Sequence, residues 1–347
     1  MLVYIFLLFM SLLTLINNKI NRGFYYLLWI LMLLIAGFRY MVGTDYANYE
    51  AAFVSSLFWY SDLGFTYFTK LMQFLNLSPQ AYFFTIALLI QVIIFFSLRK
   101  LTDTKSIFYI SIFFYITLYY FNNSMNTLRQ FIAIGIFIYN INNIINKRFI
   151  SYTLLSGLMF LFHSSSIIFY PLYFIINFLV KLTKNKNLMY VLLMISFLLM
   201  FVRFDTIITN IIVGLKIEAY QYYVTWGAQS YLQYELSWKL FVVLLIKLIL
   251  SYWIIKEKDS LINNKKDEKL FAIFFFGLLL TFPLYPMLIF RRLLFYINII
   301  EVIIYANFVK TTKMRIFIFI LYAVIFYFIN LLSGFATPLP FKLRFFD

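Results

Sequence analysis

The stretch 80-QAYFFTIALLIQVIIFFSL-98, closed by Arg99 and Lys100, decides the fold class. Coiled at about 1.5 Å per residue it reaches about 28 Å, close to the ~30 Å hydrocarbon core of a bilayer. It carries no charge, and cations stand directly behind it. Comparable apolar runs extend outward in both directions, at roughly 2–16, 23–38, 107–121, 129–145, 149–162, 164–180, 187–202, 238–255, 270–290, 293–309 and 316–332. The chain of 347 residues is 64% hydrophobic and 12% charged, more apolar surface than a soluble protein of this length can bury. The expected fold is all-α: a polytopic integral membrane protein of about twelve transmembrane helices, forming a single transmembrane domain over 1–347. Uninterrupted runs exclude a membrane β-barrel, whose strands alternate apolar and polar residues.

Basic residues orient the runs. Lys19 and Arg22 follow the first, Arg99, Lys100 and Lys105 the third, and Lys147 and Arg148 the fifth. Lys181, Lys184 and Lys186 follow the seventh. Lys256, Lys258, Lys265, Lys266 and Lys269 follow the ninth, and Lys310, Lys313 and Arg315 the eleventh. Every second connection is basic. The positive-inside rule makes these loops cytoplasmic, including the segment 256–269, and places both termini outside. The first run has no basic segment before it and no small-residue cleavage site after it, so it reads as a retained helix. Two large external loops follow, 39–79 and 203–237, rich in Tyr, Phe and Trp. They read either as interfacial amphipathic segments or as plain aromatic-belted loops. The Asn-rich run 140–146 reads as a helix end and loop.

The net charge of +16 does not imply nucleic acid, because the cations are scattered through short loops and form no continuous face. With no Cys there is no disulfide, thiolate nucleophile or Cys-based metal site. One His and no Cys argue against a transition-metal centre, and no P-loop or dinucleotide fingerprint is present. No cofactor or metal is expected.

Ionisable groups at membrane depth cost about 2.5–3.5 kcal/mol each on insertion scales, so those at the ends of apolar runs call for a role. Arg39, Asp45, Arg129, His163, Arg291 and Arg292 all fall on the external side, against the positive-inside trend. Gln130 adjoins Arg129, and Lys342 and Arg344 lie in the tail. One external arginine alone would read as an interfacial snorkeller; several together suggest a site for an anion. His163 adds depth information. The run 149–162 rises only about 21 Å, so His163 and the serines after it should lie recessed, where polar backbone is tolerated if it lines a cavity. The plainer reading is a tight turn whose serines cap the next helix. Pro283 and Pro286 should break the tenth run just before Arg291 and Arg292. Lys247 and Glu301, near mid-helix, are expected to pair, as a structural salt bridge or as part of an ion pathway.

These residues resemble a known family. Phe38-Arg39-Tyr40-Met41-Val42-Gly43-Thr44-Asp45-Tyr46, with Tyr49, is similar to the R…G-x-D-Y-x-x-Y signature of EpsG-like exopolysaccharide polymerases, relatives of Wzy-type O-antigen polymerases. Ser124, Leu128-Arg129-Gln130, Phe162-His163-Ser164-Ser165, Pro171 and Arg291-Arg292 continue the pattern in order. The resemblance implies a GT-C-like helical bundle in a bacterial inner membrane. It implies transfer of a glycan from undecaprenyl diphosphate onto an incoming lipid-linked repeat at the outer leaflet. Membrane lipids and undecaprenyl-diphosphate-linked oligosaccharide would be partners, with a chain-length regulator as a further candidate. The substrate-binding residues would be Arg39, Arg129, Gln130, Arg291, Arg292, Tyr46 and Tyr49. Asp45 is the first choice of base and His163 the alternative. The competing classes are a lipid-linked oligosaccharide flippase, an O-antigen ligase and a membrane acyltransferase.

Overall fold

The computed structural model describes residues 1–16, 22–58, 62–214, 233–310, 312–333 and 339–345. It is all-helical, with no strand among the described residues. Of the two large segments expected to be external, 59–61 and 215–232 lie outside the described residues. So do Lys19 and the Pro-containing stretch 334–338. The chain forms two compact units: Met1–Tyr173 with Tyr305–Asp347, and Phe174–Ile304.

In the first unit the helices are α1 (Leu2–Ile16), α2 (Arg22–Gly37), α3 (Tyr46–Ser55), α4 (Leu63–Phe74), α5 (Pro79–Leu101), α6 (Lys105–Thr117), α7 (Tyr120–Asn126), α8 (Leu128–Ile145) and α9 (Phe149–Phe162). A short 3₁₀ turn, Ser164–Phe169, leads into α10 (Leu172–Leu182). The second unit carries α11 (Lys186–Leu199), α12 (Phe204–Gly214), α13 (Trp238–Lys256), α14 (Lys265–Leu284) and α15 (Leu288–Asn298). α16 (Glu301–Val309) and α17 (Lys313–Leu332) return the chain to the first unit.

The stretch that decided the fold class is α5. Ser78 caps its start by accepting from the Ala81 N–H at 3.3 Å, and Pro79 occupies the first turn, where its missing N–H costs nothing. Arg99 and Lys100 complement the carbonyls of the last turn. α5 packs on α8 through a close approach at Gly135. A Cβ there would meet the Ile93 side chain at 2.6 Å, and Ser97 Oγ donates to the Gly135 carbonyl at 3.1 Å. In lipid, such small-residue contacts hold helices together where hydrophobic force does not. α8 runs through most of the Asn-rich segment and ends within it, at Ile145, as expected, so all but its last residue is helical. Asn140 Nδ2 donates to the Tyr152 carbonyl at 3.0 Å and to Ser156 Oγ at 3.1 Å, and Asn143 donates to Asn140. Asn140 and Asn143 are buried, and Asn140 ties α8 to α9, while Asn146 lies past the helix.

Four described helices, α5, α8, α13 and α17, are long and apolar enough to cross a membrane, and the 75° bent pair Lys186–Leu199 and Phe204–Asn210 would add a fifth. The other apolar runs form shorter helices, and some are divided. The run 107–121 breaks after Thr117, where Tyr119 takes a positive φ of 71°. The run 293–309 breaks between Asn298 and Glu301. As expected, the tenth run is interrupted beside its prolines: α14 contains Pro283, ends at Leu284, and the chain resumes as α15 at Leu288. The segment 39–79, expected to be external, is not a plain loop, since its described residues include α3 and α4.

Candidate functional site

In the first unit, the Gly-Thr-Asp-Tyr element is fixed to the segment that leads into Arg129. Gly43 has φ of 104°, a conformation that favours glycine, and a Cβ there would sit 3.0 Å from Asn126 Oδ1. That same oxygen accepts from Thr44 Oγ1 at 2.9 Å and from the Asp45 N–H at 3.1 Å. Asn126 ends α7, and α8 opens directly afterwards with Leu128, Arg129 and Gln130. Two motifs far apart in sequence are thus joined through one amide.

Asp45 is half-buried, and its Oδ1 faces Thr44 Oγ1 at 3.3 Å. Tyr46 and Tyr49 are buried on the inner face of α3. Tyr46 stacks on Phe83 with centroids 4.1 Å apart. The Tyr49 hydroxyl accepts from Arg129 Nε at 3.4 Å. Burial pushes the Tyr49 phenol above its ordinary value against the lowering influence of Arg129, so it stays neutral. Gln130 is buried beside Arg129.

Arg39 has a different setting. It is 1% exposed. Its guanidinium donates to the carbonyls of Ala36 and, at 2.8 Å, of Met125, and lies over the rings of Tyr46 and Phe83. The tail closes over this region. Tyr40 N–H donates to the Lys342 carbonyl and Arg344 N–H to the Phe38 carbonyl, each at 2.9 Å. Arg344 then reaches Glu50 at 2.5 Å and Gln80 at 3.2 Å.

The cluster with chemistry centres on a residue not singled out in the sequence, Asp62. It precedes α4, in the N-cap position, yet makes no side-chain cap bond. Its carboxylate turns away from its own helix. Oδ2 takes a charged hydrogen bond from Arg129 Nη1, and Oδ1 accepts from the Ser164 backbone N–H at 2.9 Å. His163 Nδ1 stands 3.9 Å from Oδ2, within ion-pair reach and about 1 Å beyond a hydrogen bond. Burial alone would raise the Asp62 carboxyl. The His163 contact and the Arg129 charge outweigh it and hold the group below the ordinary carboxylate value. The local reason for the meeting is Gly64. A Cβ there would lie 3.0 Å from the Leu161 carbonyl, so glycine lets the start of α4 approach the end of α9 without pushing it back by a few tenths of an ångström. His163 ends α9 and precedes the 3₁₀ turn; a 14-residue α9 rises about 21 Å, short of a full bilayer core.

In the second unit, Arg291 and Arg292 occupy the first turns of α15. Arg291 Nε donates to the Tyr285 carbonyl at 2.5 Å, and its guanidinium lies over the Tyr285 ring at 5.3 Å. That carbonyl is available because the helix breaks there. Behind it, Asn298 Nδ2 donates to Thr281 Oγ1 at 2.8 Å, with Gly277 leaving room for the amide. Lys247 and Glu301 do pair, Nζ to Oε2 at 2.7 Å, both buried.

The structure therefore brings Arg129, His163 and Tyr49 together, and adds Asp62 and Asn126. It buries Arg39 against Tyr46, the last residue of the Gly-Thr-Asp-Tyr element, and against Phe83. A family model for the EpsG family matches residues 22–342, nearly the whole chain. The chain belongs to the EpsG family. EpsG proteins are Wzy-like polymerases, and membership points to a membrane polysaccharide polymerase of the glycosyltransferase type. The EpsG match covers every residue of the cluster and stops just short of Arg344. No curated protein and no solved structure matches the chain.

Proposed function

We propose that this EpsG protein extends a polysaccharide at the outer leaflet of a bacterial inner membrane, moving the growing glycan from undecaprenyl diphosphate onto an incoming lipid-linked repeat. The observation that carries this reading is the meeting of Arg129 and His163 around Asp62, at a helix end too short to reach through a bilayer. The reaction needs two things there. The acceptor hydroxyl must lose its proton as its oxygen attacks the sugar carbon, and the carbon–oxygen bond to the diphosphate must break. An arginine fork suits the second, because it holds phosphate oxygens bidentately and meets the charge growing on the leaving oxygen. An imidazole suits the first. The Asp62 carboxylate beside Nδ1 favours His163 over Asp45 as the base, since it stabilises the imidazolium that forms.

Donor and acceptor each carry a lipid diphosphate. Arg129 in the first unit, and Arg291 with Arg292 in the second, are each assigned as diphosphate ligands. Asp45, Tyr49 and Gln130 line the approach to Arg129. Arg39 acts through the fold, by packing on Tyr46 and so anchoring the Gly-Thr-Asp-Tyr element. The buried Lys247–Glu301 pair is self-neutralising, which weighs against a charged path across the bilayer and so against a flippase.

The topology proposed with this function has about twelve crossings, both termini outside and His163 facing outward, on the strength of the alternating basic loops. A cysteine introduced at position 147 of this Cys-free chain should be labelled only after the membrane is permeabilised. Labelling from outside intact cells would put the cluster on the wrong side. The activity itself is tested by incubating purified protein with a lipid-linked repeat. A ladder of polymers is expected, and a single transferred unit would point to a ligase.

A further inference from the structure

Asp62 is held between two groups that need it at different times. Its Oδ2 is bound to Arg129 and stands 3.9 Å from His163 Nδ1, while Oδ1 is anchored by the Ser164 N–H, the residue next to His163. We propose that Asp62 is a pivoting counter-ion: a diphosphate arriving at Arg129 displaces the carboxylate, and the released oxygen turns to His163 and makes its imidazole a stronger base. The proposal rests on the reading of Arg129 as diphosphate ligand and His163 as base.

The geometry suits a swing. The Ser164 bond fixes one oxygen and leaves rotation about it, and the other oxygen has about 1 Å to close before it meets Nδ1 at hydrogen-bond distance. A diphosphate competes well for Arg129, because it offers more charge and more acceptor oxygens than one carboxylate. Tyr49 keeps its own contact with Arg129 Nε, so the fork stays aimed when Nη1 changes partner. Among the described residues, the charged and titratable groups near the cluster include Arg129 of α8, Tyr49 of α3, which burial keeps neutral, and Asp45 at the start of α3, whose charge acts on Tyr49. Of the two carboxylates, Asp62 is the one within ion-pair distance of both Arg129 and His163. The consequence is timing. Without substrate, Arg129 draws Asp62 away and His163 is a weaker base. With the diphosphate bound, the base is strengthened when its leaving group is in place.

Asp62 would be a positioning residue, and its effect has a signature that a packing role lacks. In Asp62→Asn, Arg129 no longer has a competing anion, so inorganic pyrophosphate should bind about tenfold more tightly. Polymerisation kcat should fall on the order of 10²-fold, the scale of general-base assistance, with KM unchanged or lower. The decisive experiment uses the fact that the chain has one histidine. With labelled imidazole, the titration of His163 is followed by NMR with and without pyrophosphate. In the wild type, pyrophosphate should move the midpoint to higher pH, and a downfield Nδ1 proton of a carboxylate-bonded imidazole should appear. In Asp62→Asn the move should shrink to the direct effect of the pyrophosphate charge. The wild-type Nδ1 signal needs no variant, so the test stands if Asp62→Asn fails to fold. An equal move in both proteins, or no Nδ1 proton in the wild type, would overturn the pivot and leave the polymerase reading intact. Absence of pyrophosphate binding to the wild type would overturn both.

Discussion

Arg39 and Arg129 are the same residue type in the same kind of place, the end of an apolar helix, and the fold uses them in opposite ways. Arg39 is enclosed by two carbonyls and two aromatic rings, and its partners are spent on holding α2, α7 and the Gly-Thr-Asp-Tyr element together. Arg129 faces a carboxylate and a phenol, and His163 stands within ion-pair reach of the same carboxylate. An arginine paired with neutral carbonyls keeps its setting whether or not an anion is near. One paired with a carboxylate can exchange that anion for another. The difference separates a structural cation from a ligand for phosphate, and it lies in the partner rather than in the arginine.

The comparison can be broken at several points. The largest expected effect belongs to the Arg129 region. His163→Gln should cut polymer synthesis by 10²-fold or more at unchanged protein level, because the amide cannot take a proton. Asp45→Asn should cost much less. The reverse order in matched membranes would restore Asp45 as the base and detach the cluster from the chemistry.

A smaller effect, of another kind, is expected at Arg39. Arg39→Leu strands the Ala36 and Met125 carbonyls, each an expected loss of about 1–3 kcal/mol. The thermal midpoint in detergent should drop, while activity per folded molecule is largely kept. Loss of activity with an unchanged midpoint would mean that Arg39 touches substrate.

The smallest effect sharpens the contrast through pH. The Asp62 carboxyl is held below its ordinary value in the folded protein. Its contribution to stability is therefore complete above the unfolded carboxylate value, about 3.9, and is lost as pH falls through the folded one. The stability difference between wild type and Asp62→Asn should shrink in that acid range. The deficit of Arg39→Leu should not change there, because the carbonyl contacts do not titrate. Parallel acid profiles for the two variants would contradict the distinction.

Much of this was legible in the sequence. The apolar runs gave the membrane class, the prolines gave the break before Arg291, and two lone mid-run charges gave the Lys247–Glu301 pair. The short run before His163 gave a helix that ends there, followed by a turn. Helix breaks inside apolar runs were not legible, because hydropathy does not sense a positive φ at Tyr119 or the interruption before Glu301. Asp62 was missed for a related reason. It lay inside 39–79, a segment read as a loop or interfacial stretch, and its partners, Arg129 and Ser164, lie 67 and 102 residues away. Asn126 looked like one more polar residue in an Asn-containing stretch, and its task depends on a glycine turn 83 positions earlier. Local pattern finds groups that need partners; it does not say which partner each finds.

The central claim, that Arg129 is the exchangeable arginine and Arg39 the fixed one, is tested most directly by paired lysine substitutions. Purified wild type, Arg129→Lys and Arg39→Lys are incubated with the same lipid-linked repeat, and polymer ladders are compared per folded molecule. A point charge cannot replace a planar fork on phosphate, so Arg129→Lys should lose on the order of 10²-fold in polymer, while Arg39→Lys should still produce a ladder. A full ladder from Arg129→Lys, with none from Arg39→Lys, would contradict the account.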